Sequence, residues 1–313
     1  MLKTILRRCG QAIPTMFLIL LVVFAAVRLA PSSPADILLG QHANAASRQA
    51  INHQFHLDEP LPVQFWLYLK GVFLHGSLGE SYIQRGQSVT SILSAQFPVT
   101  VQLAIQAMLF AVVLGLPLGI VAAYYQNTWI DRLAMAFVVA LTSVPSFVLG
   151  PILVLVLAIK FHLLPVAGWD SPVYTILPTV TLGARTAAQL ARFQRAALLD
   201  VLSQDYLRTA LAKGLTRSRA LRKHALRNAS LPVLTVLGVN FGNLLTGSFV
   251  VETLFHVPGI GYQSIQSINN RDYPVIQGVA LLVAAIYVTV NLVTDLLYRA
   301  VDPRVRDLES QQN

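Results

Sequence analysis

An all-α polytopic membrane protein with six transmembrane helices is the fold class this sequence predicts, and three features predict it. The 313 residues are 55% hydrophobic and only 12% charged, whereas a soluble domain carries about 25% charged residues. The apolar residues gather into six stretches of about 20 residues or more, enough to cross roughly 30 Å of hydrocarbon at 1.5 Å per residue. Lys and Arg are unevenly shared among the segments between those stretches, as membrane topology requires. The formal net charge of +9 could suit a nucleic-acid partner. In a membrane protein, however, surplus Lys and Arg mark cytoplasmic loops, so the partner read from composition is the lipid bilayer and no nucleic acid. Cys9 is the only cysteine, which excludes an internal disulfide and a thiolate metal cluster.

Taken in order, Lys3, Arg7 and Arg8 precede an apolar run from Ala12 to Val27. A signal peptide is excluded by the length of the run, by Pro31 where cleavage would fall and by Arg28 within the site. Residues 1–30 are therefore an N-terminal segment and first transmembrane helix. Residues 31–97 are polar and mixed in sign and form a small extracytoplasmic cap, with short helices expected over Ser47–Phe55 and Leu61–Leu74. The remainder, 98–313, is a five-helix core. Its spans are Val99–Tyr124, kinked by Gly115, Pro117 and Gly119; Leu133–Phe161, where Pro145 and Pro151 are tolerated because neighbours satisfy the freed carbonyls; one from Ile176 into a basic stretch; Ala229–Thr253; and Val275–Tyr298. Phe255–Tyr273 reads as a loop around Pro258, Gly259, Ile260 and Gly261.

Six spans put both termini on one side. With the N-terminus inside, sixteen Lys and Arg fall inside and four (Arg48, Lys70, Arg85, Arg271) outside, so both termini and the long basic loop are cytoplasmic. From Arg192 to Arg227 that loop holds nine Lys or Arg against Asp200 and Asp205. Charge alone would make it a surface for anionic headgroups. Its internal pattern adds more. Ser203 and Asp205 offer N-caps to a helix over Tyr206–Lys213, Gly214 can end it with positive φ, and Arg217–Leu226 resumes a helical spacing of apolar residues. Two short helices joined at a glycine make a rigid knob that a partner's groove could grip.

The run Asp205, Tyr206, Leu207, Arg208, Thr209, Ala210, Leu211, Ala212, Lys213, Gly214 resembles the cytoplasmic coupling loop of binding-protein-dependent ABC importer permeases. The general family pattern has a Glu-Ala-Ala triplet six residues before a glycine and Ile-x-Leu-Pro after it. This chain keeps Ala210 and Gly214, has Arg208 and Thr209 in the first two positions, and has His224, Leu226 and Arg227 for the last element, with Arg222 beside them. That departure resembles the dipeptide, oligopeptide and nickel branch. Arg7-Arg8, His56 to Leu61, Gly76 to Gly79, Pro258 to Gly261, Arg271 to Pro274 and Asp302 to Arg304 agree with it, and the resemblance covers nearly the whole chain.

The resemblance implies a type I importer (MetI-like) permease fold in the bacterial inner membrane, forming half of a pathway for small peptides. The implied partners are a second homologous permease subunit, two ABC ATPase subunits and an extracytoplasmic solute-binding protein. It also implies a coupling loop over 193–228 with Asp205, Tyr206, Arg208, Thr209, Ala210, Lys213, Gly214, Arg222 and His224 at the ATPases, and Pro258, Gly259, Gly261, Arg271 and Asp272 on the binding-protein side. No Gly-x-x-x-x-Gly-Lys-Ser/Thr loop occurs, so this chain is no enzyme and binds no cofactor; ATP and Mg belong to the partner ATPases. Glutathione or nickel-chelate cargo is the alternative, and an ion-coupled secondary transporter a further one, although no internal repeat is evident. No His-Glu-x-x-His or Gly-x-Ser-x-Gly supports an intramembrane enzyme.

Within the spans, Arg185, Gln189 and Arg192 follow helical spacing, with Thr181 a turn before. Arg185 lies about 13 Å into its span, where an ionisable group costs about 2.5–3.5 kcal/mol and must face protein or water. Either it lines a path for peptide carboxylates or it pairs with Asp295 or Glu252. Asn240, Asn243 and Thr246 could line the same path or hydrogen-bond between helices beside the close-packing Gly238-x-x-x-Gly242. His42, His53, His56 and His75 have no metal-ligand spacing and read as solvated, with no metal site.

Overall fold

The computed structural model describes residues 2–29, 34–39 and 44–301. The side chains of Cys9, Arg217 and Asp295, all of His42, and the closing Asp302 to Arg304 lie outside the described residues. Among those described, every regular element is helical, and an isolated bridge joins Glu80 to Ser88.

The chain divides into two compact units, Met1–Thr100 with Pro258–Val288, and Val101–Val257 with Thr289–Asn313. Pro258–Val288, expected within the core, thus packs with the first hundred residues.

In the first unit, α1 (Leu2–Leu29), α2 (Pro34–Leu39), α3 (Ala45–Gln54) and α4 (Leu61–His75) precede the start of α5 (Val89–Tyr124). Asn44 caps α3: its Oδ1 accepts from the Ser47 amide at 2.7 Å while its own amide donates to Ser47 Oγ. Gly76, at φ 60°, ends α4 in the left-handed conformation. Phe65 of α4 meets Phe17 and Phe24 of α1 at ring distances of 5.9 and 5.1 Å. The short helices expected over Ser47–Phe55 and Leu61–Leu74 form, as Ala45–Gln54 and Leu61–His75. The Phe255–Tyr273 loop does not stay a loop. Ile260–Asn269 forms a helix, α13, whose inward face carries Ile260, Gln263, Ser264 and Ser267.

The second unit is built on α8 (Ile176–Leu202), 13 of whose 27 residues are buried. Around it stand the rest of α5, α6 (Trp129–Ser143), α7 (Ser146–Leu153), α9 (Asp205–Ala212), α10 (Arg217–Ala220), α11 (Leu226–Gly247) and α12 (Phe249–Phe255). The last helix, α14 (Tyr273–Val301), begins in the first unit and ends in the second. Small residues let α5 and α8 touch backbone to backbone. A Cβ on Gly115 would collide with the Ala187 carbonyl, one on Gly119 would lie 2.5 Å from the Ala191 carbonyl, and one on Gly183 2.7 Å from that of Ala107. These contacts advance together along both helices, so α5 and α8 run parallel. Such close approach is how helices associate where lipid removes the hydrophobic drive between them.

The third expected span is not one straight helix. The segments Trp129–Ser143 and Ser146–Lys160 meet at 104°. Pro145 forces Val144 out of the helical region, to φ −93° and ψ 117°, because the proline ring crowds the preceding residue. Beyond α7 the helix loosens into π turns over Val154–Lys160. The expected fifth span is likewise divided at Ser248 between α11 and α12.

Candidate functional site

The broken span opens a cavity of about 350 Å³ in the second unit, walled by α6, the start of α7, α8 and α11. Its lining brings together Arg185, Gln189, Asn240 and Asn243, four of the residues singled out in the sequence, and adds Ser146, Thr181 and Thr186. Apolar wall comes from Leu141, Val144, Leu149, Leu182 and Leu244. Arg185 is exposed on a helix whose neighbours Ala184 and Thr186 are buried. Among the described residues no carboxylate pairs with it. Glu252, one of its two expected partners, is fully buried and accepts from Ser248 Oγ at 2.6 Å; the other, Asp295, lies outside the described side chains. Asn240 donates to its own helix, at the Val236 carbonyl (2.8 Å), so the interhelical bond expected of it is not made by that nitrogen. Thr246 does not line the cavity; its hydroxyl donates to the Gly242 carbonyl. Arg192 also stands outside the lining.

At the other end of α8 the basic stretch folds back. Asp205 is the first residue of α9 rather than its cap, and Gly214 takes φ 88° as its position demands. The second helix of the knob does not stand alone, because α10 passes through π turns at Leu221–Ala225 directly into α11. Leu207 is the anchor. It is 2% exposed and packs with Ala123, Leu198, Leu221, Ala225 and Ala229, a burial that contributes about 1.5–3 kcal/mol. The polar residues around it face out: Asp205, Tyr206, Arg208, Thr209, Lys213, Gly214 and Arg222 are exposed, Ala210 and His224 half-buried. Tyr206 accepts from Asn228 Nδ2 at 2.9 Å, tying α9 to α11. Asp205 and Arg208 form a loose surface pair at 3.7 Å, a kind worth at most about 1 kcal/mol.

A clamp that sequence reasoning missed lies close by. Arg195 of α8 donates through Nε and one terminal nitrogen to both oxygens of Asp131, each at 2.8 Å. Asp131 also accepts from the Asn127 amide at 3.0 Å, and Asn127 adopts φ 66° to deliver it. The turn between α5 and α6 is thereby fixed to α8. The residues are 64 positions apart, and the only signal was an acid beside a turn facing a helix rich in arginine.

In the first unit, Asp272 is 2% exposed. It accepts from the Ser81 hydroxyl and from the Tyr82 amide (3.0 Å), so it holds a turn from within while Pro258 is exposed and Arg271, at φ 53°, is half-buried. Gly259 and Gly261 are buried beneath them. The Ile260 amide donates to Thr100 Oγ1 at 3.0 Å. Burial raises the Tyr82 phenol above its usual range, opposed by the Arg28 guanidinium.

Two families match this chain: the N-terminal "Binding-prot-dependent transport system membrane comp, N-term" over residues 1–104 and "Binding-protein-dependent transport system inner membrane component" over residues 115–307. The glutathione transport system permease protein GsiC of Escherichia coli (strain K12) is 42% identical over 306 residues, covering 98% of this chain and 99% of its own length. GsiC of Salmonella paratyphi A matches equally well, at 42% identity with the same coverage. Among solved structures, an inward-facing MetNI methionine ABC transporter chain is similar at a TM-score of 0.59 and 20% identity, over 67% of this chain and 96% of its own. An amino acid ABC transporter with histidines gives 0.55 at 20% identity, over 67% and 94%. These two show the fold alone. The coverage, the family matches and the helical permease fold agree, and the chain belongs to the binding-protein-dependent inner membrane components, the permease subunits of ABC importers.

Proposed function

We propose that this chain forms half of the translocation pathway of an importer for small peptides, driven by ATP hydrolysed on other subunits. The six crossings are α1, α5, the bent α6–α7 pair with its π turns, α8, α11 with α12, and α14. Both termini face the cytoplasm, residues 31–97 form an extracytoplasmic cap, and residues 98–313 form the permease core. A second permease subunit completes the pathway, two ABC ATPases carrying ATP and Mg sit below, and a solute-binding protein docks above at Pro258, Arg271 and the turn that Asp272 holds.

One observation carries this reading. Helix α9 sinks Leu207 into a core cluster built from α5, α8, α10 and α11 while its polar face stays open. A push on that face is carried into the helices that wall the cavity, which is what coupling to an ATPase requires. Gly214 keeps the knob compact at a backbone angle that other residues rarely adopt and only under strain. The test is ATP-driven uptake by the full assembly carrying Arg208→Glu with Gly214→Leu. Uptake is expected to fall about tenfold or more, the equivalent of a 1.4 kcal/mol loss in coupling, while the subunits still copurify. Unchanged uptake in an intact assembly overturns the assignment.

A second reading of the cargo, glutathione, is favoured by the relatives at 42% identity, which are named for glutathione transport. Nothing comparable favours a nickel chelate. Uptake of radiolabelled glutathione in competition with di- and tripeptides separates the two peptide readings.

A further inference from the structure

We propose that the cavity behind the broken span is an anion-selective station that holds a carboxylate of the cargo, with Arg185 as its specificity-determining charge. The inference rests on the reading of this cavity as part of the pathway.

Four observations converge. Arg185 is exposed into a wall whose twelve lining residues include no Asp or Glu. The chain has 14 acidic residues, and a guanidinium within a membrane span ordinarily draws one of them close, because an unpaired charge there is costly. Among the described residues none has come. Thr186, next to Arg185, is 6% exposed and lines the same cavity. Its hydroxyl has no hydrogen-bond partner among the described residues, although threonines elsewhere in these helices, Thr142, Thr181 and Thr246, donate to a carbonyl one turn back. Ser146, also on the wall, is the first residue of α7. Its amide has no carbonyl within the helix to bond, and Pro145 before it has no side chain able to cap. The positive end of α7 therefore faces the same space as Arg185, an arrangement that favours anions.

The chemistry is that of a carboxylate receptor: one fixed positive charge, a hydroxyl donor and a backbone amide donor. Gln189, Asn240 and Asn243 supply amide groups that can meet peptide bonds or an amino group. The volume, about 350 Å³, is within the range of small-molecule sites, which begin at about 300 Å³. The lining carries one cation and no carboxylate to offset it, so the charged group held beside Arg185 is the carboxylate end of a small peptide.

The test is uptake of radiolabelled dialanine, trialanine and glutathione into vesicles holding the complete importer, with its binding protein saturating. Saturation removes selection by the separate binding chain. Arg185→Gln is expected to lower the maximal rate about tenfold, the weight of one charge-assisted hydrogen bond, and Thr186→Val about threefold. Arg185→Lys keeps the charge and is expected to remain within about threefold of the wild type. ATPase stimulation by the loaded binding protein serves as the folding control. Wild-type rates in Arg185→Gln overturn the station; should that variant fail to assemble, a tenfold loss in Arg185→Lys overturns it instead. Asn243→Trp plugs the cavity and tests the underlying reading separately. If it blocks uptake while Arg185→Gln does not, the pathway stands and the station falls. If it leaves uptake intact, both fall.

Discussion

Two arginines on one helix, ten residues apart, are treated in opposite ways. Arg195 is held at both ends of its fork by Asp131, and the pair is largely enclosed, the side chains 26% and 7% exposed. Arg185 meets a cavity without a carboxylate. The same residue type on the same helix thus serves architecture toward the C-terminal end and stands without a described carboxylate nearer the middle. The difference shows that the charge on α8 is not a uniform stripe. One cation is consumed in fixing the α5–α6 turn, and the other has no carboxylate partner among the described residues.

The largest expected effect removes the ground on which the contrast stands. Gly119→Leu places side-chain atoms against the Ala191 carbonyl and Gln194. With backbone on the far side there is no room to yield, and overpacking of this kind costs about 1–3 kcal/mol or more. Loss of folded protein in detergent, followed by size-exclusion chromatography, is the expected result. A monodisperse Gly119→Leu protein of wild-type thermal stability would show that α5 and α8 are not seated as described.

Next in size is the clamp. Asp131→Ala strands the Arg195 guanidinium. A fully buried pair broken this way costs about 3–5 kcal/mol, and the partial exposure of Arg195 brings the expectation to about 2 kcal/mol. A double-mutant cycle with Arg195→Ala should return most of that as coupling energy. Independent, additive losses would mean that the two residues do not act as a pair. Smallest is the effect of Arg185→Gln on thermal stability, expected within about 0.5 kcal/mol because no partner is lost. A drop as large as that of Asp131→Ala would mean that Arg185 has a structural partner after all, and the contrast would collapse.

How much of this was legible in the sequence follows from which forces are local. Long apolar helices were readable because crossing hydrocarbon demands a run of apolar residues; α5 ends at Tyr124 and α8 begins at Ile176, as expected. Helices α3 and α4 and the Gly214 break were readable from turn chemistry. The 104° bend was not, because a proline in a membrane span can kink a helix or break it, and the neighbours decide which. Helix α13 was hidden behind Pro258 and Gly259, whose turn signal masked the amphipathic run that follows. In the cavity, Arg185, Gln189, Asn240 and Asn243 shared faces by spacing alone. Thr246, expected beside them, stands outside this cavity, since the same spacing also lets a threonine bond its own helix. Thr186 escaped notice because an uncharged residue among alanines carries no pattern of its own, and the Asp131–Arg195 clamp because nothing local links residues 64 apart.

The central claim is that this chain is a passive gate worked by ATPases through α9. It is tested most directly by measuring solute uptake into vesicles containing this permease with its partner permease, first without and then with the ATPase subunits and ATP. The account expects no net accumulation without them and accumulation against a gradient with them, lowered about tenfold or more when Arg208 and Gly214 are replaced together. Accumulation by the permease subunits alone, or uptake in the full assembly that is indifferent to ATP, would contradict it.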